Sequence, residues 1–413
     1  MKQSLDTSAG SRLRDHPDVR IVLAARAVSF LGDAVAVAAL TVHVARDDDP
    51  VRLALLLAAF GLPVVAVAGA AGRLVDTRDS RLLLVVAGLV QTCAAVALAF
   101  ATSLGAILLF VVLLQCGQAV MAPTWGALLP EIVGEDLVAR AIGLQGTLGA
   151  LADLVGFPVG GILFDRLGLR AALLLDAATF LLLVGAACLV KTRRRPSLTR
   201  SPSPGLDPPT HAGGLHLIRA DPVLRLLVPT LLVFVVAAEA TNVVEALLVT
   251  RTLGGDGTAY GLVAAVFGAG AVVGPALAAR VTRERSRIVS IAASEAMVGL
   301  ALITLGLAPT VSWLLLPSVL AGLGSGLFNA ASLSLITLRA PREARGRILA
   351  TVMGATRAVS MLALVTGGVA GSAFGPRAVF IGCGLATLVL APLALIAVRG
   401  SGQPLPPMPG SVP

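Results

Sequence analysis

Long apolar runs of about 20 residues, separated by short stretches of charge, proline or glycine, dominate the chain from residue 20 to residue 398. A helix needs about 20 residues to cross the hydrocarbon core of a bilayer. We therefore predict twelve membrane-spanning helices, called spans 1 to 12 below. They cover residues 20–45, 50–72, 82–102, 104–128, 140–164, 170–190, 223–249, 258–281, 287–307, 312–337, 347–373 and 375–398.

The composition of the chain agrees with lipid as its solvent. Hydrophobic residues make up 56% of the 413 residues and charged residues 13%, with a mean hydropathy of +0.91. The net charge of +9 does not indicate nucleic-acid binding, because the basic residues lie between apolar runs instead of on one soluble face. Residues 1–19 lack the apolar run of a cleavable signal peptide, so we expect span 1 to be retained.

Six spans lie on each side of a basic, Ser- and Pro-rich segment, residues 191–222, whose composition cannot build a core. We predict a first six-helix half at 1–190, a cytoplasmic linker at 191–222, and a second half at 223–413 that ends in a short polar tail. The fold class is an all-α membrane protein.

The two halves repeat each other in sequence. Offsets of 205 and 207 residues superpose landmarks of spans 1, 5 and 6 on those of spans 7, 11 and 12, which predicts two pseudo-symmetric halves around a central transport site. Chance alignment of sequence rich in Ala, Val and Leu is the alternative. The matched pairs are Pro17 with Pro222, Arg20 with Arg225, Arg46 with Arg251, Arg140 with Arg347, Gly160–Gly161 with Gly367–Gly368, and Arg170 with Arg377.

The basic residues predict the orientation of the chain. Of the 32 Lys and Arg residues, 24 fall in the termini and alternate loops on one side, six fall on the other side, and Arg26 and Arg357 lie within spans. By the positive-inside rule, both termini and the linker are cytoplasmic, and we expect a multi-pass inner-membrane protein.

A short charged turn follows span 2. Gly72 permits close backbone approach, Asp76 can cap or pair near a neighbouring helix end, and Arg78 and Arg81 are available as its partners. This turn resembles the loop 2–3 motif of the major facilitator superfamily, which implies a conformational latch that stabilises the outward-facing state. The equivalent loop between spans 8 and 9 has Ala278 in place of the Asp.

Span 5 is dense in small residues, including Gly156, Pro158, Gly160 and Gly161. It resembles the superfamily's antiporter motif, with Phe157 between the glycine and the proline, and the resemblance implies export. Packing of helices is the alternative role for these glycines.

The fold resemblance covers nearly the whole chain, and two shorter segments resemble one branch of the family. They are the stretch from Arg26 to Asp33 in span 1 and Pro130-Glu131 after span 4. The branch contains the siderophore and macrolide exporters of the enterobactin-exporter type. The resemblance implies export of a small amphipathic molecule by proton antiport, with the substrate, protons and the lipid bilayer as partners of a monomer.

Charged residues at membrane depth are the candidates for proton coupling, because each needs a partner, a wet cavity or a neutralising proton. Arg26 and Asp33 lie two helical turns apart on one face of span 1, and Asp33 is the first candidate proton carrier. A permanent structural ion pair is the alternative. Asp153 in span 5 and Glu239 in span 7 are the next candidates.

Two further polar residues complete the predicted cavity. Asn242 lies one turn beyond Glu239 on nearly the same face of span 7. Arg357 in span 11 is expected to pair with Asp153, to bind an anionic group, or to extend its side chain toward the cytoplasm.

No enzyme signature is present: the four histidines are scattered, no nucleotide-binding loop occurs, and the four cysteines show no paired spacing. We therefore expect no catalysis, no cofactor, no metal site and no nucleic-acid partner. Other functions left open are import or lipid flipping on the same fold, and a non-transporting receptor or assembly subunit.

Overall fold

In the computed structural model, the described residues are 17–47, 49–192, 211–341 and 344–396, and they form helices and no strand. The predicted bounds of the spans agree with the helices to within a few residues. The long helices are Pro17–Ala45, Pro50–Thr77, Ser80–Ala99, Leu104–Val133, Glu135–Leu167, Leu169–Leu189, Leu224–Leu247, Gly257–Ala279, Glu284–Gly306, Val311–Arg339 and Arg345–Ile396.

The last of these helices contains spans 11 and 12. It has 52 residues, and a straight helix of that length would measure about 78 Å, more than twice the roughly 30 Å hydrocarbon core. Gly375 breaks it with a φ of 79° and a ψ of 163°, a conformation that favours glycine. The eleven long helices among the described residues therefore supply twelve spans.

The described residues pack into two compact units. Unit 1 comprises residues 17–36, 59–156 and 167–192, and unit 2 comprises residues 37–58, 157–166 and 211–396, with the gaps stated above. This grouping differs from the halves of the repeat, because residues 37–58 and 157–166 belong to spans 1, 2 and 5 but pack in unit 2.

Unit 1 is built around span 3, which packs against spans 4 and 6. Its core joins apolar side chains from five spans, including Val19, Leu84, Trp125 and Phe180, which are at most 3% exposed. Small residues such as Ala87 and Ala95 fill the remaining space, so the helices approach closely.

In unit 2, span 8 packs against span 10, and span 7 packs against the helix of spans 11 and 12. Phe234 of span 7 stacks on Phe328 of span 10 with ring centroids 3.9 Å apart. Large apolar side chains also lie on the outer surface, for example Leu316 and Phe374. Outward-facing apolar side chains are what helices in lipid require.

The linker contains a helix that its composition did not predict. His211–Ala220 is helical, and a Cβ atom at Gly214 would lie 2.1 Å from Thr351 Oγ1, so this helix packs closely on span 11. Asp221 then accepts hydrogen bonds from the backbone N–H groups of Val223 and Leu224 at 2.8 and 2.9 Å and caps span 7. Residues 193–210, 1–16 and 397–413 lie outside the described residues.

Candidate functional site

Asp33 lies near the middle of span 1, where two neighbouring helices of unit 1 come very close. A Cβ atom at Gly32 would lie 2.5 Å from Thr179 Oγ1 and 2.8 Å from Asp176 Oδ1 of span 6. A Cβ atom at Gly156 of span 5 would lie 2.5 Å from Ala34 Cβ. The two glycines thus bring spans 5 and 6 against span 1 on both sides of Asp33.

Arg26 is the cation of this region and is 5% exposed. Its guanidinium carbon lies 4.7 Å from the centroid of the Phe30 ring. With the Gln145 amide oriented so that its oxygen faces the guanidinium, that oxygen accepts hydrogen bonds from Nε at 3.2 Å and from a terminal nitrogen at 3.0 Å. Arg26 also attracts Asp33 electrostatically, as their shared face predicts.

Two more carboxyl groups lie near Asp33. Asp153 on span 5 is within electrostatic range of Asp33 and is exposed at the helix surface. Asp176 on span 6 also interacts electrostatically with Asp33 and is 2% exposed. The Thr179 hydroxyl lies 2.8 Å from the Asp176 carbonyl oxygen and 3.4 Å from its Oδ1. We call Arg26, Asp33, Asp153 and Asp176 the carboxyl cluster.

The carboxyl cluster joins three predicted residues with one that sequence analysis missed. Asp176 stands inside the apolar run from Leu173 to Phe180. An acid within such a run is itself a signal of function at membrane depth. Three acidic side chains and one guanidinium leave uncompensated negative charge, which is costly in a membrane interior. The cluster is therefore chemically suited to bind and release protons.

The predicted residues of unit 2 form a simpler arrangement. The Ser360 hydroxyl of span 11 donates a hydrogen bond to Oε1 of Glu239 on span 7. Asn242 and Arg357 are both exposed on their helices. Arg357 belongs to unit 2 and Asp153 to unit 1, and the pairing of these two side chains stays a prediction.

Two acidic residues of unit 2 lie outside this pair. Glu245 of span 7 lies within electrostatic range of Tyr260 of span 8. Glu295 of span 9 is completely buried, and neither carboxyl oxygen has a hydrogen-bond partner among the described residues. Glu295 therefore does not extend its side chain into solvent.

The turn after span 2 contains a helix cap and a side-chain hydrogen bond to span 6. Asp79, not Asp76, caps span 3, and accepts hydrogen bonds from the backbone of Arg81 at 2.9 Å and of Leu82 at 3.2 Å. The Arg81 guanidinium donates a hydrogen bond to the Val190 carbonyl at the end of span 6.

Gly72, Asp76 and Arg78 complete this turn. Among the described residues, a Cβ atom at Gly72 would have no neighbour within 4 Å. Asp76 and Arg78 are exposed. The latch role of these residues stays a prediction.

The antiporter-like motif of span 5 is a helix-packing surface over its whole length. Gly156 packs on span 1 and Gly160 is buried. A Cβ atom at Gly261 of span 8 would lie 2.7 Å from Pro158 Cα, and one at Gly161 would lie 2.0 Å from the Gly257 carbonyl oxygen. This contact accounts for the glycines structurally and leaves the direction of transport as a prediction.

Comparison with known proteins bears on the whole chain. The family model described as transmembrane secretion effector (MFS_3) matches residues 8–402. A relative from Bacillus subtilis (strain 168), an uncharacterized MFS-type transporter called YfiS, is 22% identical over 405 residues, which is 94% of each chain.

Solved structures show the same fold. A bacterial homolog of the human lysosomal transporter Spinster, inward-facing and unoccupied, is 16% identical with a TM-score of 0.71, over 95% of this chain and 98% of the other. The nucleoside transporter NupG is 12% identical with a TM-score of 0.71, and the match covers 92% of this chain and 99% of the other. A bacterial homologue of the iron transporter ferroportin, in its inward-facing state, is 15% identical with a TM-score of 0.69. The match covers 95% of this chain and 100% of the other.

Proposed function

The chain belongs to the major facilitator superfamily, and from that premise we propose that this membrane transporter exports a small amphipathic molecule in exchange for protons. The observation that carries the proposal is the carboxyl cluster in the middle of span 1. A secondary transporter needs a group at membrane depth that exchanges protons in step with its conformation, and Asp33 is placed to be that group.

Each member of the carboxyl cluster has a role in this mechanism. Asp33 carries the proton, and Asp153 and Asp176 compete with it for the proton and for the positive charge of Arg26. A change in the approach of span 5 or span 6 to span 1 changes this competition. Helix movement and proton binding are thereby coupled.

The direction of transport is proposed from the family and from the motifs. The matching family model is that of secretion effectors, and span 5 carries the antiporter-like motif. The resemblance to the enterobactin and macrolide exporters extends the proposal to drug-like, toxic or siderophore-like substrates. The distribution of basic residues supports cytoplasmic termini in the inner membrane, and a monomer contains all the parts named.

Other predicted residues take supporting roles. Asn242 and Arg357 are exposed on spans 7 and 11, and we assign them to substrate binding or charge pairing. Glu239 is a second, weaker candidate for proton coupling, because Ser360 already donates a hydrogen bond to it. Gly72, Asp76, Arg78 and Arg81 are assigned to a conformational latch, as the resemblance to the loop 2–3 motif implies.

The test is energised efflux from bacteria that lack their own exporters. Cells with wild-type protein or the Asp33→Asn variant are loaded with a panel of dyes, antibiotics and siderophores, with and without a protonophore. We expect wild-type efflux to stop with the protonophore, and the variant to lose proton-driven efflux because an amide side chain cannot bind and release the proton.

The matched control is Asp47→Asn, the same change at an exposed acid that pairs with Arg52 at 2.8 Å. Exposed ion pairs contribute little, so this variant should transport like the wild type. Protonophore-insensitive efflux would contradict proton antiport. Uptake of a panel compound, or movement of lipid by well-inserted protein, would replace export with import or flipping.

A further inference from the structure

Asp165, near the end of span 5, holds the first turn of span 8. Its Oδ1 accepts a hydrogen bond from the Gly257 backbone N–H at 3.1 Å. Its Oδ2 accepts one from the Thr258 N–H at 2.7 Å and one from the Thr258 hydroxyl at 2.8 Å. The carboxylate therefore lies on the positive end of the span 8 helix dipole. All of these residues belong to unit 2.

The surrounding contacts leave span 5 little freedom against span 8. A Cβ atom at Gly161 would lie 2.0 Å from the Gly257 carbonyl oxygen, so the two backbones touch one turn from the carboxylate. Phe164 directly precedes Asp165. The guanidinium carbon of Arg46, which follows span 1, lies 4.5 Å from the centroid of the Phe164 ring. Separation of spans 5 and 8 at this end must break all three hydrogen bonds of Asp165 together.

The contact related to this one by the internal repeat lacks such a carboxylate. An offset of 207 places Gly161 on Gly368 and Gly257 on Pro50, and a Cβ atom at Gly368 would lie 3.0 Å from the Pro50 carbonyl oxygen. The glycine contact is therefore repeated between spans 11 and 2. The residue equivalent to Asp165 is Ser372, whose hydroxyl bonds to Val369 of its own helix.

Span 2 also offers no donors at the equivalent place. Proline has no backbone N–H, so Pro50 cannot donate as Gly257 does. The N–H of Val51 is already bonded to Asp49 Oδ1 at 2.9 Å, and valine has no hydroxyl. The two repeat-related contacts thus differ in chemistry: one is carboxylate-bonded and the other is packed by contact alone.

From this asymmetry we infer that Asp165 is a positioning residue for transport, whose carboxylate keeps the outer end of the transporter closed and must release Thr258 once in each cycle. The inference rests on the proposed function only in taking this end as the outer one. The contact of spans 11 and 2, with no bonds of this kind to break, acts as the passive side of the opening. Asp165 thereby sets how often the substrate path opens outward.

The experiment measures access to a buried position behind this contact. Thr41 of span 1 is 2% exposed and lies beside Tyr260, two residues beyond Thr258. The four free cysteines are replaced, Thr41→Cys is introduced, and labelling by a membrane-impermeant maleimide is timed on whole cells and on inverted vesicles. Asp165→Ala should speed labelling from outside about tenfold, equivalent to about 1.4 kcal/mol.

Further variants separate the carboxylate from general packing. Thr258→Val removes the donated hydroxyl bond at nearly constant volume and should speed labelling by a smaller factor. Thr258→Ser keeps the hydroxyl and should label like the wild type. Ser372→Ala, the repeat-related control, should also leave the rate unchanged. If Asp165→Ala folds poorly, the Thr258 pair decides the question by itself.

Unchanged labelling in both Asp165→Ala and Thr258→Val would overturn the inference. Faster labelling only in inverted vesicles would overturn it too, because the contact would then lie at the cytoplasmic end. The labelling needs neither substrate nor protons. A protein that shows no efflux but keeps these labelling responses therefore contradicts the proposed export and leaves the role of Asp165 in place.

Discussion

The carboxyl cluster of unit 1 and the Glu239–Ser360 pair of unit 2 occupy matching places in the internal repeat. An offset of 205 places Asp33 on Ala238, next to Glu239, and an offset of 207 places Asp153 on Ser360. In the first half, an acid on span 1 is near an acid on span 5. In the second half, an acid on span 7 accepts a hydrogen bond from a hydroxyl on span 11.

From this difference we expect the two halves to have different roles in proton coupling. The Glu239 carboxyl group has a hydrogen-bond partner, the Ser360 hydroxyl. A carboxyl group that shares its surroundings with two other acids and one guanidinium responds to small movements of its neighbours. We therefore expect coupling to depend on the carboxyl cluster and local structure to depend on the Glu239–Ser360 pair.

The largest expected effect comes from removing the only cation of the carboxyl cluster. Arg26 is 5% exposed, and Arg26→Gln should lower the free energy of unfolding by about 3–5 kcal/mol, because buried acids lose their charge partner. Denaturant unfolding in mild detergent measures this.

The matched control for Arg26 is Arg280→Gln in unit 2, which removes an exposed guanidinium and should change stability by about 0.5 kcal/mol or less. Adding Asp33→Asn to Arg26→Gln should restore part of the loss. Equal effects of the two arginine variants would remove the contrast between the halves.

A smaller loss is expected from Gly32→Ala. The new methyl group would meet Thr179 Oγ1 at 2.5 Å, so the change should destabilise the protein by about 1–3 kcal/mol. Gly185→Ala in span 6 is the matched control, because no atom lies within 4 Å of its added Cβ. A helix gains up to about 1 kcal/mol from Ala in place of Gly, so the two variants should shift the unfolding midpoint in opposite directions. A stabilising Gly32→Ala would contradict the close contact.

Asp176→Asn tests the residue that sequence analysis missed. We expect proton-driven transport in proteoliposomes to fall by about fivefold or more, while substrate exchange without a gradient continues. Glu239→Gln is the comparison in the other half and should leave the dependence on the pH gradient intact. If Glu239→Gln abolishes that dependence and Asp176→Asn does not, the roles of the two halves are reversed.

The smallest effect is expected for Ser360→Ala. It removes one hydrogen bond to Glu239 and should lower the free energy of unfolding by about 1 kcal/mol, with an unchanged response of transport to pH. Ser372→Ala on the same span removes a hydroxyl bonded only to its own helix and provides the control. A loss of proton coupling in Ser360→Ala would move the coupling function into unit 2.

The spans were predictable because a bilayer demands apolar runs of one length, and short charged or glycine-rich turns separate them. Asp33, Arg26 and Asp153 were predictable because charge inside an apolar run is costly. Asp176 carried the same signal. The helix His211–Ala220 was not foreseen, because its packing on span 11 compensates for a composition typical of a linker.

Contacts between spans that are distant in sequence could not be predicted. The sequence around Asp165 does not predict Thr258 as its hydrogen-bond partner, because the hydrogen bonds depend on how spans 5 and 8 pack. The sequence allowed Asp76 to cap or pair near a neighbouring helix end, and Asp79 caps span 3 because it directly precedes the helix. Such choices depend on helix ends, which are hard to predict to a single residue.

The turn at Gly375 bears on how the protein enters the membrane during synthesis. Spans 11 and 12 are joined by one residue outside helical geometry, Gly375, and Arg377 follows it by two residues. No soluble loop separates the two spans. We therefore expect the translocation machinery to insert them together as one helical hairpin. The guanidinium of Arg377 then crosses together with the tip. The two spans are in this sense a single unit of biogenesis, and an epitope tag inserted at Gly375 would divide it.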